Sequence, residues 1–170
     1  IAAAVNYLSE HGISNLDELD ASLSSVSDKA YSIREGMKTA EQRMKELQKL
    51  MEYGRNYQTY KPIQDEYRQI HWKGKQEKFA EAHRAELTLW NAASRYLHAN
   101  LPDVKALPIS EWKQEYADLK AQRDTDYAKL KATRAEVAEL QKIRKCVDVA
   151  LKAEQPEQTQ TRTKRHEQER

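Results

Sequence analysis

One feature constrains this chain more than any other. Leu16, Leu19, Leu23, Val26, Ala30, Ile33, Met37, Ala40, Met44, Leu47 and Met51 step by three and four without a slip. A sustained heptad seam of this kind buries its stripe only against a partner helix, so it predicts coiled-coil packing. Ser, Asp, Lys and Glu fill the outward positions. At 1.5 Å of rise per residue, a helix from Asn15 to Tyr57 is roughly 63 Å long.

A second seam lies near the other end of the chain. Trp112, Tyr116, Leu119, Leu130, Val137, Leu140, Val147 and Leu151 keep heptad phase, with Arg123, Asp126, Thr133 and Arg144 interrupting it. Ser110 is the expected N-cap, with Glu111 in the first turn. This arm, from Ser110 to Ala153, is roughly 66 Å long. Two seams of matched length in one chain pair most simply with each other, antiparallel. A parallel three-helix arrangement is the alternative, and seams of this type can also pair between two copies of the chain to give a homodimer.

Composition agrees with a thin helical build. Only four glycines and four prolines occur in 170 residues, 33% are charged, and the mean hydropathy of -0.98 is low for a globule with a broad interior. Such a chain buries narrow stripes instead. The net charge of +2 and pI near 8.5 are too mild to argue nucleic-acid binding alone. No apolar run approaches the ~18 residues that span a bilayer, and no signal peptide is recognisable. The single cysteine, Cys146, has no partner for an internal disulfide. Together these readings predict a cytoplasmic protein without a membrane partner.

The chain divides, on this reading, into five parts. Residues 1–13 hold a short helix, capped at its C-terminus by Gly12 with Ile13 closing over the end; it reads as the continuation of an upstream domain. Residues 14–57 form the first arm, with Ser14 or Asn15 as N-cap and Asp17 and Glu18 facing the positive helix end. Residues 58–109 form a helical knob and loop. Within it Pro62 is expected to kink or restart the helix, Gly74 to end the segment, and a third helix to run from about Gln76 to His98. NLPDVKALP, with Pro102 and Pro108, reads as a loop. Residues 110–154 form the second arm. Residues 155–170, which include EQTQTRTKRHEQER, carry no apolar anchor and are expected to be disordered.

Two clusters are candidates for chemistry. His83 and Glu86 stand three apart on one helical face, a spacing that can hold a metal or support acid–base work. Dinuclear carboxylate bundles, however, use Glu-x-x-His twice with two further glutamates. Here the order is reversed and unrepeated, and His11, His71, His98 and His166 are scattered. Zinc asks for more closely spaced His or Cys ligands. The pair therefore reads as boundary residues hydrogen-bonded to the neighbouring arms. Leu89, Trp90, Ala93, Tyr96 and Leu97 on the same helix read as knob core, capping the tip of the hairpin and joined by Trp112.

The second cluster is basic and aromatic. Arg55, Lys61, Arg68, His71, Trp72, Lys73, Lys75 and Lys78, interleaved with Tyr53, Tyr57, Tyr60 and Tyr67, can track a phosphate backbone and stack on bases. Asp65, Glu66 and Glu77 dilute the charge, and half of the tyrosines are needed to pack on the third helix. Arg162, Lys164, Arg165 and Arg170 in the tail can add nonspecific phosphate affinity. No Gly-rich phosphate loop, nucleophile elbow or zinc pattern of cysteines is present. The residues thus call for no catalytic group, metal, cofactor or small-molecule ligand.

Several segments taken together resemble a known family. NYQTYKPIQDEYRQ, KQEKFAEAHRAELTLWNAASRYL and ALPISEWKQEYADLKAQRDTDYAKLKATRAEVAELQKIRKCVD resemble the C-terminal region of relaxases. These are the mobilisation nucleases of conjugative and mobilisable elements in Gram-positive gut bacteria. GISNLDELDASL is similar to the opening of that region, and the likeness extends to about Leu151. A relaxase nicks one DNA strand at the transfer origin with a tyrosine nucleophile and a histidine-bound metal, both in an N-terminal domain. This chain has no His-x-His pair, so that chemistry does not carry over. What the resemblance implies is accessory work: contact with origin DNA, with an auxiliary conjugation protein, or with the coupling ATPase. The fold expected is all-α, a long antiparallel coiled-coil hairpin with a small helical knob at the tip.

Overall fold

The structure, a computed structural model, describes the backbone of residues 2–168 and the side chains of residues 4–153. It is all-α. Every regular element among the described residues is a helix: α1 (Ala2–Glu10), α2 (Leu16–Gln69), α3 (Lys73–Ala82), α4 (Arg84–Asn100) and α5 (Ile109–Gln168). The chain divides into two compact units, Ile1–Met37 with Thr125–Arg170, and Lys38–Asp124.

In the first unit α1 ends as its sequence dictates. Gly12 has φ +64, and the amide of Ile13 donates to Leu8 O at 2.8 Å while that of Gly12 donates to Ser9 O at 3.3 Å. This is a Schellman closure, with the φ that glycine adopts without a Cβ clash. The next helix starts on a reciprocal cap. Asn15 Oδ1 accepts from the amide of Glu18 at 2.8 Å, and the Glu18 carboxylate accepts from the amide of Ser14 at 2.6 Å. Asn15, not Ser14, is therefore the cap.

Leu19, Leu140 and Ile143 form the buried centre of this unit, with Tyr7, Leu8, Ile13, Leu23, Val26 and Val147 packed around them. Early α2 thus meets late α5, which makes the pair antiparallel. The polar interruptions of the α5 seam are accommodated locally. Thr133 is buried, and its hydroxyl donates to Lys129 O at 2.9 Å. Arg144 reaches across to Asp20, Nε to Oδ1 at 2.6 Å, and also binds Asp148. Burial, with Glu136 and Glu139 nearby, raises the Tyr7 phenol above its ordinary pKa. The backbone of α5 continues to Gln168, through the segment expected to be disordered; the side chains from residue 154 onward lie outside the described residues.

The second unit is built on Leu47, Leu50, Leu97, Val104 and Trp112, with tyrosines and Leu119 around them. Here α2 pairs antiparallel with both α4 and the start of α5. Tyr53 stacks on Tyr96 with centroids 4.2 Å apart, Tyr57 on Trp90 at 5.5 Å, and Tyr67 on Phe79 at 6.5 Å. Three of the tract's four tyrosines, Tyr53, Tyr57 and Tyr67, are therefore spent on packing, more than the half expected. Gly54 is buried where α5 crosses: a Cβ there would stand 3.3 Å from the Trp112 ring and 3.4 Å from Ile109. The helix α5 starts at Ile109, with the Trp112 amide donating to Pro108 O, so the cap falls before Ser110.

Four sequence expectations are corrected in this unit. Pro62 lies inside α2 and neither breaks nor restarts it. Its missing donor faces the exposed Gln58, whose carbonyl water can reach, while Tyr57, Gln64 and Tyr67 hold the helix from the packed side. The break comes later, at 70–72, and Gly74 belongs to the first turn of α3 instead of ending a segment. The expected third helix is two, divided at His83, whose backbone (φ -113, ψ 28) leaves the helical region. The stretch KGKQEKFAEA supplies only one large apolar residue, Phe79, and buries none, so nothing obliges α3 to follow the axis of α4. On α4 the buried face is Leu87, Trp90, Ala93 and Leu97, and Leu89 is 41% exposed. That face lies along α2 and the start of α5.

Candidate nucleic-acid interface

The basic and aromatic residues fall on the last turns of α2, the turn after it, and α3. Lys61 and Arg68 stand seven apart, which places them on one face of α2. Arg55 is about 120° around the helix from Lys61 and does not join them. Lys73, Lys75 and Lys78 lie on α3. Arg55, Lys61, Arg68, His71, Trp72, Lys73, Lys75 and Lys78 are all exposed. The Arg68 guanidinium lies over the Trp90 ring, 5.5 Å from its centroid, so its stem helps cover that tryptophan while its charge stays in water.

Trp72 is the anomaly. It is 78% exposed, whereas Trp90 and Trp112 are 8% and 5% exposed. It occupies the N-cap of α3 with an extended backbone (φ -86, ψ 114) and makes no side-chain cap bond. Its carbonyl receives the amides of Lys75 and Gln76. Ser, Thr, Asp or Asn at this position would stabilise the helix by about 1 kcal/mol. The indole contributes no cap and buries little apolar area. Fold stability alone does not account for it.

His83 and Glu86 are not part of this surface. Nδ1 of His83 comes 3.6 Å from Glu86 Oε1 on its own helical stretch, too long for a hydrogen bond. No hydrogen-bond partner meets that nitrogen. Among the described residues the expected bonds to the neighbouring arms are absent; the ring instead lies 4.4 Å from Phe79. Both side chains are about one-third exposed, as boundary residues are. Among the described residues no three His, Cys, Asp or Glu side chains gather where they could hold a metal.

Beside the tract lies a cleft that the sequence did not reveal. It encloses about 290 Å³ between the end of α2 and the helices α3 and α4, and it is lined by Gln64, Tyr67, Arg84, Leu87, Thr88 and Asn91. Its residues come from three helices at no fixed spacing, so no linear pattern marks them. Tyr67 is held by Phe79 on one side, and its carbonyl accepts from Gln76 Nε2 at 3.3 Å.

Among the described residues no helix is long and apolar enough to cross a membrane. No family model, curated protein or solved structure matches the chain.

Proposed function

We propose that this chain is a non-catalytic accessory region of a conjugative relaxase that positions DNA or a partner protein while a plasmid or transposon is mobilised. The observation that supports the DNA-contact part is Trp72, an uncovered indole at an uncapped helix start, flanked by Arg68, His71, Lys73, Lys75 and Lys78. Cations of this kind neutralise phosphates, and an exposed aromatic ring stacks on any base. The packed helices of the second unit hold the surface in place. A transfer origin is the DNA that the relaxase resemblance implies, and an auxiliary conjugation protein or the coupling ATPase is the partner it implies.

The test is binding of labelled single- and double-stranded DNA at low and moderate salt. Binding that weakens with salt, and weakens further when Arg68, Lys73 and Lys75 become alanine, supports the reading. No binding at low salt removes its DNA-contact part.

A second reading is a structural coiled-coil module that joins proteins and has no nucleic-acid role. The observation favouring it is the apolar hollow between α1 and α5 in the first unit, lined by Val5, Leu8, Val147 and Leu151. Val5 is 57% exposed and Leu151 46% exposed. This reading predicts a protein partner whose binding is insensitive to salt and to loss of Lys73 and Lys75.

A further inference from the structure

The cleft between α2, α3 and α4 contains a side chain that packing does not explain. Gln64 is only 7% exposed, yet no hydrogen bond among the described residues engages its amide. A buried amide without a partner costs free energy, and native structures rarely leave one. The sealed polar atoms without a partner are His83 Nδ1 and Trp90 Nε1. The Gln64 amide is not among them, so its atoms are not sealed, and the residue lines the cleft. Among the described residues the Arg84 guanidinium, the Asn91 amide and the Tyr67 hydroxyl at the same cleft have no hydrogen-bond partner either, and Arg84 and Asn91 are exposed. The Thr88 hydroxyl donates to Arg84 O at 2.6 Å and keeps its lone pairs available. Leu87 supplies an apolar wall.

We infer that this cleft receives one unstacked base of a bound nucleic-acid strand. This rests on the DNA-contact reading above and names the subsite within it. The chemistry fits a base edge: a carboxamide offers one donor and one acceptor side by side, the pairing by which Gln and Asn read adenine, and a guanidinium reads guanine in the same way. The phenol of Tyr67 and the Leu87 side chain offer the flat and apolar surroundings a ring needs. The placement fits as well. Tyr67 at the cleft is followed by Arg68, and the α3 wall of the cleft is Ala80. Lys73 stands seven residues before Ala80, on the same face of α3. Arg68 and Lys73 are the cations placed to meet the phosphates of a strand whose base enters the cleft.

The test compares short single-stranded DNA with the same strand carrying abasic sites, by fluorescence anisotropy with the full chain at low salt. Removal of bases is expected to weaken binding to the unaltered protein by about tenfold, near the low end of what a bidentate base contact is worth. The variant Gln64→Leu, similar in volume, is expected to bind intact DNA about tenfold more weakly and to keep only the discrimination that stacking on Trp72 supplies. Its melting temperature should not fall, because it removes an unpartnered amide. Asn91→Ala, on the exposed side of α4, should reduce the discrimination without touching buried packing. Equal binding of intact and abasic strands by the unaltered protein overturns both the cleft and stacking on Trp72, and leaves only the phosphate contacts of the DNA-contact reading. Full discrimination by Gln64→Leu overturns the cleft but leaves the DNA-contact reading standing. Absence of any binding at low salt overturns both.

Discussion

Arg43 on α2 and Glu115 on α5 meet as a two-pronged pair, Nε to Oε1 at 2.7 Å and Nη2 to Oε2 at 3.1 Å. The fork fixes the register of the two helices in the second unit, where Gln48 Nε2 also donates to the Tyr116 hydroxyl at 3.1 Å. Hydrogen bonding from Arg43 holds the Glu115 carboxyl below its ordinary pKa of 4.5, against a smaller opposing effect of burial. Because the folded pKa is depressed, the stabilisation is complete above the unfolded value and is lost as pH falls through the folded one. Both side chains are 41% exposed, so solvent screening limits the pair to about 0.2–1 kcal/mol. The melting temperature of Arg43→Ala should therefore lie slightly below that of the unaltered protein at neutral pH. The gap should close on acidification below the carboxylate range, and should narrow with added salt.

Two glycines in one helix should respond in opposite directions. At Gly36 an added Cβ meets nothing within 4 Å, so Gly36→Ala should gain about 0.5–1 kcal/mol from helix propensity. At Gly54 the Cβ already presses on the Trp112 ring. Gly54→Leu has no room beneath that ring and should lose about 1–3 kcal/mol through overpacking. Urea denaturation of the two variants measures both effects. Equal responses would mean that α5 does not cross α2 at this point.

Two leucines of α4, Leu97 and Leu89, separate the observed face from the one its sequence suggests. Leu97 is fully buried in the centre of the second unit, and Leu89 is 41% exposed. Leu97→Ala should cost about 2–5 kcal/mol. Leu89→Ala should remain within about 0.5 kcal/mol. Denaturant titration of the pair checks the orientation of the helix directly.

These contrasts show what a linear reading captures. The seam from Leu16 to Met51 is wholly buried or half-buried, because a heptad repeat depends only on spacing along one helix. The Gly12 closure was legible for the same reason, and the cap was narrowed to Ser14 or Asn15: each is settled within a few residues. Pro62 misled because its cost depends on whether water reaches the carbonyl four residues earlier, which is a tertiary fact. The division at His83 was hidden because apolar spacing alone does not reveal that α3 has too few apolar residues to follow α4. Leu89 misled because it adjoins the true stripe, and only the packing partner decides which of Leu87 and Leu89 is buried. The candidate surface was half legible. The cations and Trp72 were visible as composition, but the exposure of Trp72 and the unpartnered amide of Gln64 depend on three helices meeting.

Contact between Trp72 and DNA is tested most directly by tryptophan emission. Trp90 and Trp112 are buried and Trp72 is exposed, so an aqueous quencher such as acrylamide should act mainly on Trp72. Titration with single-stranded DNA should quench that accessible fraction and shield it from acrylamide, as stacking requires. The variant Trp72→Phe, which keeps a ring at the site but removes this fluorophore, should show almost no DNA-dependent change in emission. DNA that binds while leaving the accessible Trp72 emission untouched, or a change that persists in Trp72→Phe, would contradict the proposed interface.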